Sequence, residues 1–249
     1  MNRHDLIRVL GPIDLLSPSG PRSVGTPSSR RLLGVLVVGA GRAIPADQLI
    51  WALWGDAPPR SARSSLQSYV SRLRKVLGPG AIGRADHSYW LAVGRDQIDA
   101  LRFEDLLTDA TVADGERRLA LCRAALGLWR GEPFGELIDD EPFRLEAMRL
   151  EELRITAMEL ALETELAVGH PEIVVAELEN AVREHPYRER LWHLLIEALR
   201  RDDRRVEALR ICQEFRKVLA TAGLTPSADL CAIEGSILEG GPIESGATR

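Results

Sequence analysis

Ser61-Ala-Arg-Ser-Ser-Leu-Gln-Ser-Tyr-Val-Ser-Arg-Leu-Arg-Lys75 is a helix with two faces. Ala62, Leu66, Tyr69, Val70, Leu73, Val76 and Leu77 recur at steps of three and four, the spacing of a stripe that packs on a core. Arg60, Ser64, Gln67, Ser68, Ser71, Arg74 and Lys75 fall opposite, with Arg63 and Arg72 on the flanks. Short hydroxyl and amide side chains let the backbone approach closely while guanidiniums reach phosphates and base edges, so this face suits a helix in the major groove of DNA. From Ala57 to Ala85 there are six basic residues and no acid.

An arginine-bearing outer face on an amphipathic helix is, by itself, more often plain solvated surface. The charge distribution favours the DNA reading. Residues 1–95 carry 13 Lys+Arg against 5 Asp+Glu, a net of +8, whereas residues 96–249 carry 19 against 32, a net of −13. A formal charge of −5 thus conceals a basic first third, as expected of a DNA-binding domain.

The 249 residues, 45% of them hydrophobic, suffice for two packed domains. No apolar run reaches the roughly 18 residues of a membrane span, and the first residues lack a signal-peptide pattern, so a cytoplasmic protein is expected. Cys122, Cys212 and Cys231 each sit in an apolar helical pattern and are expected as buried, reduced thiols. Arginine outnumbers lysine 30 to 2, which points to a GC-rich coding sequence and not to a chemistry.

Leu6–Leu10 and Ile13–Leu15 are short strand candidates, and the Ser/Pro/Gly-rich segment 17–27 supplies turns of a small antiparallel sheet. Ser28 or Ser29 is expected to cap a helix through Leu32, Leu33, Leu36 and Val37 that ends at Gly39. Pro45 opens a second helix with Leu49, Ile50, Leu53 and Trp54 on one face, closed by Gly55-Asp-Ala-Pro-Pro59. The basic helix follows, then a hairpin from Ala81-Ile82 and Tyr89–Val93 whose tip carries Arg84 and His87. Val35-Leu-Val-Val-Gly-Ala-Gly41 imitates a dinucleotide-binding turn. It fails because Ile44 holds the third glycine position, Pro45 interrupts the receiving helix, and no second βαβ unit follows.

Sheet, helix, helix, basic helix and hairpin compose a winged helix. The run Ala46 to Arg74 (ADQLIWALWGDAPPRSARSSLQSYVSRLR) closely resembles the DNA-binding domain of the Streptomyces antibiotic regulatory proteins, which is of the OmpR type. The resemblance continues through Asp99–Glu104, Leu128–Gly131, Asp140–Phe143 and Arg149–Arg154, landmarks of that family's bacterial transcriptional activation domain. It departs at Ser29, where a basic residue is usual, and at His87-Ser-Tyr-Trp90, where glycine often precedes the tyrosine.

The resemblance implies an OmpR-type winged-helix domain over residues 1–95 and a tetratricopeptide-like helical domain over 96–249, in a mainly α chain. It implies that Ser61–Leu77 is the recognition helix, that Arg72 contacts bases, and that Arg63, Arg74 and Lys75 hold phosphates. Gln67, Ser68 and Ser71 then become groove contacts, joined by Arg60, Ser64, Arg84 and His87. Tyr69 has two readings, core packing or a phosphate hydrogen bond. Family members bind promoter direct repeats and recruit RNA polymerase, which implies double-stranded DNA, the sigma factor and alpha subunit, and a homodimer on DNA as partners. The loop Trp54–Arg60 is either a polymerase contact, through Asp56 and Arg60, or simply the stop of one helix and the start of the next. At this length no room is expected for the receiver, forkhead-associated or ATPase modules of larger relatives, so control by phosphorylation or ATP in cis is not expected. A tetratricopeptide-type adaptor whose winged helix serves protein contacts is the alternative.

Beyond Asp96 the apolar period is helical almost throughout. Segments near Glu177 and Leu209 lie about 32 residues apart in similar helix pairs, a tetratricopeptide-like spacing. Trp129 and Trp192 are expected in the core. No catalytic constellation is present, and His4, His87, His170, His185 and His193 show no metal spacing, so neither an enzyme nor a cofactor is expected. Asp139-Asp140 and Glu151-Glu152 read as solvated charge.

Overall fold

The computed structural model describes residues 5–169 and 171–239, apart from the side chains of 171–173 and 239. His4 and His170 lie outside the described residues. Strands β1 (Leu6–Arg8), β2 (Asp14–Ser17) and β3 (Gly20–Arg22) form an antiparallel meander, with Leu6 opposite Leu16 and Leu15 opposite Arg22. The expected small sheet is present, with its third strand inside the Ser/Pro/Gly segment.

Helix α1 (Pro27–Val38) is capped by Thr26, whose hydroxyl accepts from Ser29 N–H at 3.3 Å. The expected cap at Ser28 or Ser29 is therefore displaced toward the N-terminus. The reason is Pro27, whose fixed φ and missing N–H suit the first helical position and leave the cap to the preceding residue. The dinucleotide-turn imitation is the last turn of this helix.

Two residues, Ile44–Pro45, form β4, which runs directly into α2 (Ala46–Trp54). Helix α3 (Ala62–Leu77) follows, then β5 (Ile82–Ala85) and β6 (Ser88–Leu91), in a second sheet of order β4-β6-β5. Ala62, Leu66, Val70, Leu73 and Leu77 are buried against α1 and α2, as their spacing requires.

Beyond the wing come a 3-10 turn (Arg95–Gln97) and helices α4 (Asp99–Val112), α5 (Gly115–Leu126), α6 (Phe143–Val168), α7 (Pro171–Glu184), α8 (Glu189–Arg201), α9 (Arg205–Thr221) and α10 (Ala228–Glu239). The chain divides into two compact units: residues 1–111 with 121–157, and residues 112–120 with 158–249. Packing in the first unit thus runs past Arg95, where the sequence suggested a boundary.

The fully buried Asp99 carboxylate explains part of this, accepting from Val9 N–H at 2.8 Å and Leu10 N–H at 3.1 Å. Arg130 N–H donates to Leu10 O at 2.8 Å, and Phe134 N–H to Val9 O at 2.7 Å. A Cβ on Gly34 of α1 would lie 2.6 Å from the Phe143 ring, so only glycine admits that ring. Asp140, expected as solvated charge, ion-pairs with Arg31.

In the second unit α7, α8, α9 and α10 pack in succession, and Trp192 stacks on Phe215 at 5.0 Å. Trp192 is buried there, as expected; Trp129, in the first unit, is half-buried, edge-on to Phe103 at 5.4 Å. Cys122 and Cys212 are buried as expected, and burial pushes the Cys212 thiol up to about 11. Cys231 is exposed, contrary to expectation, because Leu230 and Ile237 define the buried stripe of α10 and Cys231 falls one residue, about 100°, off it.

Candidate nucleic-acid interface

Helix α3 begins after Pro58-Pro59, and no acid occupies its first turn. Its exposed face carries Arg63, Ser64, Gln67, Ser68, Ser71, Arg72 and Lys75, with exposed Arg60 just ahead of it. Ser64 Oγ donates to Ser61 O at 2.9 Å and Ser68 Oγ to Ser64 O at 3.0 Å. Turned back on the helix, these hydroxyls keep the face low and leave oxygen lone pairs outward.

The wing is a two-residue hairpin. Asp86 and His87 form its turn, both at positive φ (44° and 61°), the conformation that matches the twist of the flanking strands. His87 is therefore at the tip as expected, and its carbonyl accepts from Ala46 N–H at 2.9 Å, which ties the tip to the start of α2. Arg84 stands one step back, opposite Tyr89 in the ladder, its guanidinium 5.6 Å from that ring. Gly83 faces Trp90, and a Cβ at Gly83 would sit 2.1 Å from the indole.

Helix and wing converge on a groove of about 310 Å³ lined by Arg63, Gln67, Arg84 and His87, together with Asp47 and Asp86. Four residues singled out from the sequence are thereby brought together. Arg63 pairs with Asp47 at 3.1 Å, but both side chains are more than three-quarters exposed, so the pair contributes little and gives way readily to a phosphate.

Arg74 is placed differently from the expectation. Its Nε and Nη2 donate to Ile82 O at 3.1 and 2.8 Å, and the residue is half-buried. It fastens α3 to the wing instead of facing outward with Lys75.

Two further features were not read from the sequence. Trp51 is 58% exposed, with Nε1 3.4 Å from Asp56 Oδ1, and Trp54 stacks on Tyr69 with ring centres 6.0 Å apart. The Asp56–Arg60 loop is exposed throughout. Among the described residues no group of three His, Cys, Asp or Glu side chains is arranged to hold a metal, and no helix is long and apolar enough to cross a membrane.

Residues 22–86 match the family model of the transcriptional regulatory protein C-terminal domain, and residues 98–238 match that of the bacterial transcriptional activator domain. The regulatory protein DnrI of Streptomyces peucetius is 33% identical over 255 residues, covering 95% of this chain and 93% of DnrI. EmbR of Mycobacterium tuberculosis, a transcriptional regulatory protein, is 35% identical over 95% of this chain, and AfsR of Streptomyces coelicolor is 35% identical over 94%. The chain spans 64% of the length of EmbR and 24% of AfsR. The solved structure of M. tuberculosis EmbR in complex with a low-affinity phosphopeptide superimposes with a TM-score of 0.88 at 34% identity, covering 97% of this chain and 66% of that one. With both domain models matched in order and DnrI aligned along nearly its whole length, the chain belongs to the Streptomyces antibiotic regulatory protein family of transcriptional activators.

Proposed function

We propose that the protein is a cytoplasmic, sequence-specific DNA-binding activator that occupies promoter direct repeats as a homodimer and recruits RNA polymerase to a secondary-metabolite gene cluster. Residues 1–95 bind DNA and residues 96–249 serve activation. The observation that carries the reading is the convergence of α3 and the wing on one groove, where Arg63, Gln67, Arg84 and His87 meet, with Arg60, Arg72 and Lys75 also exposed on α3 or just ahead of it. Arg72 reads bases, Gln67, Ser68 and Ser71 line the major groove, and the other cations neutralise phosphates. Asp56 and Arg60 contact the polymerase sigma factor or alpha subunit.

The test is the salt dependence of binding to a duplex selected from a random library by the full chain. Neutralising about four phosphates per protomer gives a slope of log K against log salt of about −4 for one bound protomer and about −7 for the homodimer. An adaptor whose winged helix contacts protein selects no duplex, and a slope near zero would reject the DNA reading.

A further inference from the structure

We infer that Tyr69 is a positioning residue for DNA recognition: its ring, braced by Trp54, holds the Arg72 guanidinium extended on the outer face of α3 with every N–H free. The inference rests on Arg72 reading bases, as proposed above.

Three cations along α3 are held in three ways. Arg63 is paired with the Asp47 carboxylate, and Arg74 gives two N–H groups to Ile82 O. Arg72 lies 5.9 Å from the Tyr69 ring centre and has no carboxylate partner among the described residues. The difference matters for recognition. A carboxylate would orient the guanidinium but occupy its donors and cancel its charge, whereas an aromatic face attracts the cation and consumes no hydrogen bond. Five donors then stay available for a bidentate contact with a purine edge.

The ring must itself be fixed for this to work. Tyr69 is half-buried and stacks on half-buried Trp54, the last residue of α2, with the two planes inclined by 25°. Neither ring can swing freely without unstacking from the other. Trp54, Tyr69 and Arg72 thus form a short brace that lowers the conformational entropy Arg72 loses on docking. Of the two readings of Tyr69 in the sequence, this geometry favours packing, with the ring and not the hydroxyl as the working part.

The experiment uses the full chain and the duplex that it selects from a random library, with single-base variants of that duplex. Tyr69→Phe keeps the ring and is expected to discriminate as the parent does. Tyr69→Leu is expected to lose about two- to fivefold of discrimination at the base pair affected by Arg72→Ala, and the double substitution to lose no more than Arg72→Ala alone. Affinity for non-cognate duplex stays within twofold. If Arg72→Ala loses discrimination while Tyr69→Leu keeps it, the positioning role is overturned and the recognition-helix reading stands. If Arg72→Ala keeps discrimination, both fall. A Tyr69→Phe protein as impaired as Tyr69→Leu assigns the effect to the hydroxyl and overturns the ring's role. Should Tyr69→Leu fail to fold, the free parent protein decides: the Arg72 side-chain N–H resonances are expected upfield from the ring current, and their absence from that position overturns the brace.

Discussion

The carboxylate of Asp99 lies 2.8 Å from Val9 N–H, although 90 residues separate the two in sequence. With Leu10 N–H and Ala100 N–H on the same carboxylate, the buried side chain closes the first strand onto the start of α4. Asp99→Asn presents an amide nitrogen to one of these donors and leaves a buried N–H unpaired, which costs about 1–3 kcal/mol. Urea unfolding would measure it; an unchanged midpoint would show that this clamp contributes nothing to stability.

A fragment ending at Arg95 has its own sheet, helices and hairpin, yet it lacks Asp99 and the Phe134 and Phe143 rings that pack 5.2 Å apart against the winged helix. A fragment ending at Ala157 keeps all three. It is expected to unfold at distinctly higher urea than the shorter fragment, and equal midpoints would contradict the packing division.

Burial pushes the Asp99 carboxyl up to about 6 from its ordinary 3.8, against the lowering effect of three backbone N–H groups and Arg130. Between those two values the folded chain holds a proton that the unfolded chain has released, so folding takes up a proton. Stability from this group therefore rises as pH falls from 7 to 5, by about 1 kcal/mol. The difference in unfolding free energy between parent and Asp99→Asn should widen in the parent's favour over that interval. A difference that is constant, or narrows, would reject the raised value.

At the wing, Gly83→Ala drives a methyl group into the Trp90 indole, and a ring cannot yield as a flexible side chain does. The expected result is a repacked hairpin costing about 1–3 kcal/mol of stability, with Arg84 and His87 displaced from the groove they share with Arg63. Tryptophan fluorescence and DNA affinity should change together. A normal affinity would show that the wing does not contribute to binding.

On the activation side, Asp56→Ala with Arg60→Ala empties no cavity, because both residues are exposed. The double variant is expected to lose open-complex formation far more than operator occupancy, which falls only by the one phosphate contact of Arg60. Footprinting beside run-off transcription separates the outcomes, since equal loss of both would place the loop on DNA.

What the sequence made legible was local. The buried stripe of α3, the helix boundaries near Gly39 and Gly55 and the hairpin follow from spacing and turn chemistry within a few residues. What it hid was set by distant partners or by one neighbour's geometry. Arg74 and Lys75 are adjacent and both basic, but only the fold shows that Ile82 O takes the first and leaves the second free. Pro27 decided the cap of α1 over two better-placed serines. Asp99 carries no sign in its own segment that Val9 waits ninety residues upstream.

Lysine is so scarce in this chain that one exposed side chain on α3, the proposed recognition helix, acquires a second use. Lys75 is one of two ε-amines in 249 residues, the other being Lys217. An amine-directed reagent consequently has a single lysine target on α3, and protection of that amine in the presence of duplex, with Lys217 as the internal standard, becomes a mass-spectrometric footprint of the bound helix.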